Sequence, residues 1–214
     1  MRTLAVLSFA LMALLFGSAI SARAQFGPGL SETRVLDASA LRPPAGARVA
    51  IVEFDDMECP MCGEVNPTIM AAAAQYRIPW IRHDFIIPGH IWSPIGAVYA
   101  RWFDQRSKEL GYEYRNAVFA NQNSIYNPRV LRQFTEKFAA AHHIQLPFAI
   151  DPEGKLAAAV QADTDLGRRT GIDHTPTIFV VMASKKGPRY IEVLNPMRDL
   201  YRTIDEAMAE TRSR

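Results

Sequence analysis

Hydrophobic positions along the chain follow two rhythms. Continuous Val- and Ile-rich runs mark strands covered on both faces, and i, i+3, i+4 spacing marks helices. Arg48 to Phe54 is the first strand-like run, with Glu53 near its end. Gly63 to Tyr76 reads as a helix. Ala71 to Ala74 favour it, and Asn66-Pro67 predicts a kink, because an internal proline removes a hydrogen bond and crowds the preceding turn. Ile78 to Ile87 reads as a second strand, stopped by Pro88-Gly89.

A helical stretch follows. Ser93-Pro94 predicts a cap and first turn, opening a helix to about Leu110 with Ile95, Val98 and Trp102 on one face and Gly111 as its stop. Tyr112 to Asn121 forms a second, shorter helix. Asn127-Pro128 repeats the cap signal before Leu131, Phe134, Phe138 and Ala141, ending near His142-His143. Asp151-Pro152 repeats it again before Leu156, Ala159, Val160 and Leu166, with Gly167 or Gly171 as the end. Thr177 to Met182 is then a strand, Lys185 to Pro188 a turn, and Tyr190 to Leu194 the return strand. Asn195-Pro196 caps a last helix with Leu200, Ile204 and Met208 inside. The order is β-α-β, helical block, β-β-α. It predicts an α/β domain over 48–212 with a helical insertion at about 90–168. Residues 25–47, rich in Gly, Pro and small side chains, form an extended lead-in with at most a short strand around Arg34 to Leu36.

The first residues do not fit this pattern. Leu4 to Phe16 is nearly all apolar behind Met1-Arg2, and Ala22-Arg23-Ala24 has the form of an A-x-A cleavage site. Residues 1–24 therefore read as a secretory signal peptide cleaved after Ala24, placing the protein in the periplasm or outside the cell. Gly17-Ser18 interrupts the apolar run, which is shorter than the roughly 20 residues a membrane span needs. Cleavage removes Arg2 and Arg23 and no acids, so 24 basic and 22 acidic residues become 22 and 22. A neutral mature chain gives no electrostatic reason for a nucleic-acid partner.

Only two cysteines are present, Cys59 and Cys62, separated by Pro60-Met61 at the junction of the first strand and helix. An exported protein lives where disulfides persist, but one pair at this spacing cannot staple distant parts. Two thiols at a helix start can close a small ring, and the N-terminal N–H groups stabilise a thiolate there. Pro60 suits the first helical position, where its missing N–H is not needed. This spacing predicts a redox pair, with Cys59 as the exposed nucleophile and Cys62 as the resolving thiol. Half of a zinc site is the alternative; it would need further N or S ligands, and of the five histidines the His142-His143 pair lies in the helical block.

A Cys-x-x-Cys beside a βαβ pattern has the form of a thioredoxin-like redox motif. Taken with Val52-Glu53-Phe54-Asp55-Asp56-Met57-Glu58 before it, with Thr175-Pro176-Thr177 opening a later strand, and with the helical insertion, the chain resembles the DsbA-like branch of the thioredoxin superfamily from about residue 45 to 210. The resemblance implies a thioredoxin fold with an inserted helical subdomain and protein thiol:disulfide oxidoreductase activity. It implies that Cys59 attacks, that Cys62 is its buried partner, and that Pro176 is a cis-proline facing them. The backbone of Thr175 would then pair with an extended substrate, with His174, Met61 and Pro60 beside it, and Glu53 would move a proton to or from the second thiol. No cofactor or metal is implied. The partners would be exported proteins with free thiols and a membrane quinone-coupled protein of the DsbB or VKOR kind.

Two departures bear on the direction of electron flow. Met61 stands where the branch's Cys-Pro-His-Cys carries histidine, and His174 is expected to compensate in part. Thr175 is the residue found in isomerase and reductase relatives, where DsbA has valine. Those relatives dimerise through a separate N-terminal domain, for which 25–47 is too short. The expectation is a monomeric oxidase. An isomerase or reductase of the same fold is the alternative within this chemistry, and a peptide-binding chaperone with incidental thiols the alternative outside it.

Overall fold

The structure is a computed structural model that describes residues 32–212. The predicted signal peptide and most of the lead-in's first residues lie outside the described residues. A four-stranded sheet runs in the order β2-β1-β3-β4, with β1 at Val49–Asp55, β2 at Trp80–Asp84, β3 at Thr177–Met182 and β4 at Arg189–Glu192. β1 pairs parallel with β2 and antiparallel with β3, and β3 pairs antiparallel with β4. Every residue of β1 and β3 is buried. Alternate β1 side chains therefore face opposite layers. Val49 and Ile51 pack with helices α1 (Pro60–Tyr76) and α6 (Pro196–Arg212) through Val65, Ile69, Leu200 and Ile204. Ala50, Val52 and Phe54 pack with Leu41, Phe85, Ile172, Phe179 and Val181 on the other side.

Between β2 and β3 lie α2 (Ser93–Asp104), α3 (Lys108–Ala120), α4 (Pro128–Ala141) and α5 (Lys155–Thr170). They enclose a second core of Trp92, Tyr99, Phe103, Tyr114, Val118 and Leu131, which also takes in Met57, Cys59 and Cys62. Gly167 is where α5 closes on the sheet side: a Cβ there would run into the ring of Phe85. Among the described residues no helix is long and apolar enough to cross a membrane.

Several predicted boundaries move, each for a visible reason. No strand forms at Arg34 to Leu36; the Leu36 N–H donates instead to the Thr170 carbonyl (2.8 Å). β2 is shorter than Ile78 to Ile87. At its start the Ile78 N–H closes the end of α1, and beyond its end the Ile87 N–H donates to the Asp56 carboxylate (2.9 Å). The helix predicted to reach Leu110 ends at Asp104. Ser107 caps a new helix by accepting from the Leu110 N–H (3.0 Å), and Gly111 lies inside it, against Asp104, instead of stopping anything. Ser93 is already helical and does not cap. Its hydroxyl donates to Asp56 (2.9 Å). The cap before α5 is Gly154 at φ 68°, not Asp151, whose carboxylate reaches the Ala157 N–H (2.8 Å). The caps at Asn127 and Asn195 form as predicted, each amide oxygen accepting from the N–H three residues on.

Candidate active site

The carboxyl end of β1 delivers the chain into α1 through Asp56-Met57-Glu58, and this junction is fixed from several directions. The Asp56 carboxylate accepts from the Glu58 N–H (2.7 Å), and the Asp56 carbonyl accepts from the Cys59 N–H (3.0 Å). Glu58 in turn accepts from the N–H groups of Trp92 (2.7 Å) and Ser93 (3.1 Å) at the start of α2. His90 lies 3.0 Å from Asp56. The loop leading into the helical block is thus tied to the turn that carries the first cysteine. Pairing charged acceptors with unsatisfied helix N–H groups makes these strong bonds.

Cys59 is the N-cap of α1, with Pro60 in its first turn. It is not an exposed nucleophile, for only 7% of its surface is accessible and its sulfur lies 3.3 Å from the Thr175 carbonyl oxygen. Cys62, one turn on, is fully buried. Both are free thiols. The two sulfurs differ sharply in acidity. The Cys62 thiol donates to the Cys59 sulfur, and against the opposing effect of burial this lowers Cys59 to about 6. The Thr175 side chain and the N–H groups of Cys62 and Met61 add to the lowering. Burial and the neighbouring Cys59 push Cys62 well above its ordinary value. A hydrogen bond from the neighbouring thiol, aided by N–H groups of the helix start, acts on one sulfur and burial on the other, which is the physical origin of the split.

Thr175-Pro176 is a cis peptide bond, and Pro176 is buried. The Thr177 hydroxyl donates to the His174 carbonyl (2.8 Å), which ties the segment to the start of β3. The His174 ring pairs with Asp173 (2.7 Å); the hydrogen bonds that lower Cys59 come from Cys62, Thr175 and Met61. Pro60 and Met61 are exposed beside the sulfurs, Met61 by 47%.

Glu53 lies beneath, 1% exposed, accepting from the Trp80 indole N–H (2.9 Å). Burial, followed by the nearby Asp55, pushes its carboxyl up to about 8, against the pull of Arg82. Asp55 is also raised by burial. Its second oxygen accepts from Arg82 Nε (2.9 Å), and its first has no hydrogen-bond partner. Arg82 stands opposite Glu53 in the β1–β2 register and is sandwiched between the Trp80 and Phe119 rings. Asp84 takes up Arg101 from α2 (2.7 Å) and Arg115 from α3 (3.2 Å). The sequence predicted Glu53 but not this network. The signal was present as Arg82 and Asp84 alternating in a strand whose two ends are buried, a pattern that needs paired charges. Among the described residues no three His, Cys, Asp or Glu side chains gather as metal ligands.

Comparison with known proteins agrees with this fold. Residues 44–194 match the family described as Thioredoxin. Two curated relatives are the Na(+)/H(+) antiporters NhaA 3 of Salinispora tropica, 27% identical over 74% of this chain and 24% of that protein, and NhaA 1 of Salinispora arenicola, 26% identical over 83% of this chain and 26% of that protein. The chain spans about a quarter of the length of these relatives. Among solved structures, α-DsbA1 of Wolbachia pipientis matches at TM-score 0.64 and 16% identity, covering 79% of this chain and 90% of its own. BdbD of Bacillus subtilis matches at 0.63 and 18%, covering 84% and 96%. Both carry the same DsbA-like fold. The chain belongs to the thioredoxin family.

Proposed function

We propose that this thioredoxin-family protein is an exported thiol–disulfide oxidoreductase that oxidises thiols of other exported proteins through a Cys59–Cys62 disulfide. The observation that carries the reading is the asymmetry of the pair: an acidic Cys59 under the Thr175 carbonyl and a deeply buried, reluctant Cys62. In the oxidising direction a substrate thiolate attacks the Cys59 sulfur. The Cys59–Cys62 bond breaks, and Cys62 leaves as a thiolate that takes a proton. A second substrate thiolate then attacks the substrate sulfur of the mixed disulfide and expels Cys59 as a thiolate. The substrate leaves oxidised and the pair reduced. A low-acidity leaving thiol slows this last step, and a Cys59 near 6 speeds it.

Glu53, buried beside the pair and protonated across much of the neutral range, is suited to supply the proton that Cys62 takes. Pro176 fixes the segment opposite the sulfurs, and Thr175 offers backbone to an extended peptide, with Pro60, Met61 and His174 around it. Under this reading the partners are unfolded exported proteins with free thiols, with a membrane quinone-coupled protein returning the pair to the disulfide, and the chain works as a monomer. Thr175 and the exposed Met61 favour an isomerase or reductase as the second reading, since they stand where oxidase relatives carry other residues.

The test is oxidation of a reduced, unfolded protein, run beside insulin reduction. Cys59→Ser should abolish both, and full activity in that variant would overturn the proposal. The pair's potential against glutathione then gives the direction. A value towards the DsbA end, about −120 mV, supports the oxidase, and one near thioredoxin's, about −270 mV, the reductase.

The acidity of Cys59 has a further expected outcome. Its folded value lies below its ordinary one, so Cys59 contributes stability to the reduced protein that grows as pH rises from about 6 towards 9, opposed up to about pH 8 by the contribution of Glu53. The slope is at most about 1.4 kcal/mol per pH unit. The gain is lost as pH falls through 6. Chemical unfolding of the reduced protein and of Cys59→Ser across this window should show the difference.

A further inference from the structure

We propose that Gln122 is a positioning residue for Cys59: its side-chain amide clamps the turn that presents the sulfur, so the helical block, and not α1 alone, sets the reactivity of that thiol. The inference rests on the thiol–disulfide reading above.

Gln122 opens a short 3-10 turn, Gln122–Ser124, between α3 and α4. Its Nε2 lies 2.8 Å from the Met57 carbonyl oxygen and 2.8 Å from the Cys59 carbonyl oxygen. A side-chain amide has two N–H donors, and both are spent on this turn. The Cys59 carbonyl otherwise receives only a long bond from the Gly63 N–H, at 3.3 Å. Without the amide the first turn of α1 would be loosely closed where the thiolate needs it rigid. The N–H groups of Met61 and Cys62 stabilise the Cys59 sulfur only while the Cys59 backbone aims it at them.

The clamp is itself held and shaped. Ile125, directly after the 3-10 turn, is 4% exposed and packs into the same core as Met57, Cys59 and Cys62. Its N–H donates to the Gln122 carbonyl (2.9 Å). On the opposite side Gly63 makes the room: a Cβ there would stand 2.9 Å from Gln122 Oε1. The glycine in Cys-Pro-Met-Cys-Gly thus has a packing reason, which is to admit an amide from the helical block. Gln122 is only half-buried, so burial alone does not demand that its hydrogen bonds be satisfied by these two carbonyls.

The experiment is the pH profile of Cys59 alkylation in the reduced full chain, read by mass spectrometry of the Cys59 peptide. Gln122→Met keeps the length of the side chain and removes both donors. Its midpoint should move up by about half a pH unit or more, an alkylation rate about twofold lower near pH 6 and about threefold lower well below it. Gly63→Ala keeps Gln122 but crowds its Oε1 at 2.9 Å, so the flexible end of the amide has to shift, and the midpoint should move the same way by a smaller amount. This second variant also decides the matter if Gln122→Met does not fold. Combining the two should add nothing beyond the larger single shift.

Midpoints within about 0.2 unit of the wild type in both variants would overturn the proposal, since a tenfold change in the thiolate ratio corresponds to one unit. A wild-type protein with no thiol–disulfide exchange at all would instead overturn the functional reading. The alkylation profile still judges the clamp in that case.

Discussion

Four carboxylates fall between Glu53 and Glu58, and the fold sorts them into two regions of opposite character. Glu53 and Asp55 point into the floor under α1, beside Arg82, with Asp84 and Arg115 behind. Asp56 and Glu58 face the mouth of the helical block and accept from backbone N–H groups of Ile87, Trp92 and Ser93. The floor balances whole charges against whole charges in a dry place, and burial drives Glu53 and Asp55 towards the protonated form. The mouth balances charge against main-chain N–H groups and the Ser93 hydroxyl, with His90 3.0 Å from Asp56. The same residue type, a few positions apart, sits among buried cations in one region and fastens main-chain N–H groups in the other. The partner decides, not the carboxylate.

The largest way to break this contrast is on the floor. Arg115→Met leaves buried Asp84 with Arg101 as its remaining cation; fully unpairing a buried charge costs about 3–5 kcal/mol, so the expected loss is up to about 3 kcal/mol. Thermal or chemical unfolding should show that loss. An effect under about 1 kcal/mol would mean the floor is held by packing and not by charge balance.

Glu53→Gln sharpens the comparison through pH. The Glu53 carboxyl is raised in the folded protein to about 8 from an ordinary value of 4.5, so the unfolded chain ionises first as pH rises. The folded state loses stability across that window, at most by about 1.4 kcal/mol per pH unit. The wild type should therefore be as stable as Glu53→Gln near pH 4 and fall behind it as pH approaches 8. Parallel stability curves for the two proteins would remove Glu53 from the proton-handling side.

At the mouth the expected effects are smaller. Glu58→Ala leaves the Trp92 and Ser93 N–H groups without their acceptor, a loss of about 1–2 kcal/mol by analogy with helix caps. Denaturant titrations should show that loss, and stability equal to the wild type would mean that Glu58 does not fasten this turn. Asn127→Ala, which removes a neutral cap at α4, sets the baseline at about 1 kcal/mol.

The sequence was most readable where one rhythm dominated. β1 and β3 are buried on both faces, so an unbroken Val and Ile run identified them nearly to the residue. Asn127 and Asn195 cap their helices through bonds to residues three positions away, so local spacing sufficed. Ser93 failed as a cap because its hydroxyl is claimed by Asp56, 37 positions back. The break between α2 and α3 was hidden because apolar residues continue at helical spacing across Ser107, while Gly111 is small to pack against Asp104. At the site, the Cys-x-x-Cys and Thr-Pro pair were visible because their chemistry is tied to short motifs. Gln122 and Arg115 were not, since each acts only on residues that the fold brings to it from far along the chain.

Asp84 carries a consequence for how such a chain can be rebuilt. One β2 side chain serves Arg101 from α2 and Arg115 from α3, and Arg101 also reaches Asp163 on α5. The helical block is therefore not a cassette that can be lifted onto another thioredoxin sheet by matching its ends. A graft would have to carry β2 with it, or replace Asp84 and both arginines together by apolar residues of similar volume.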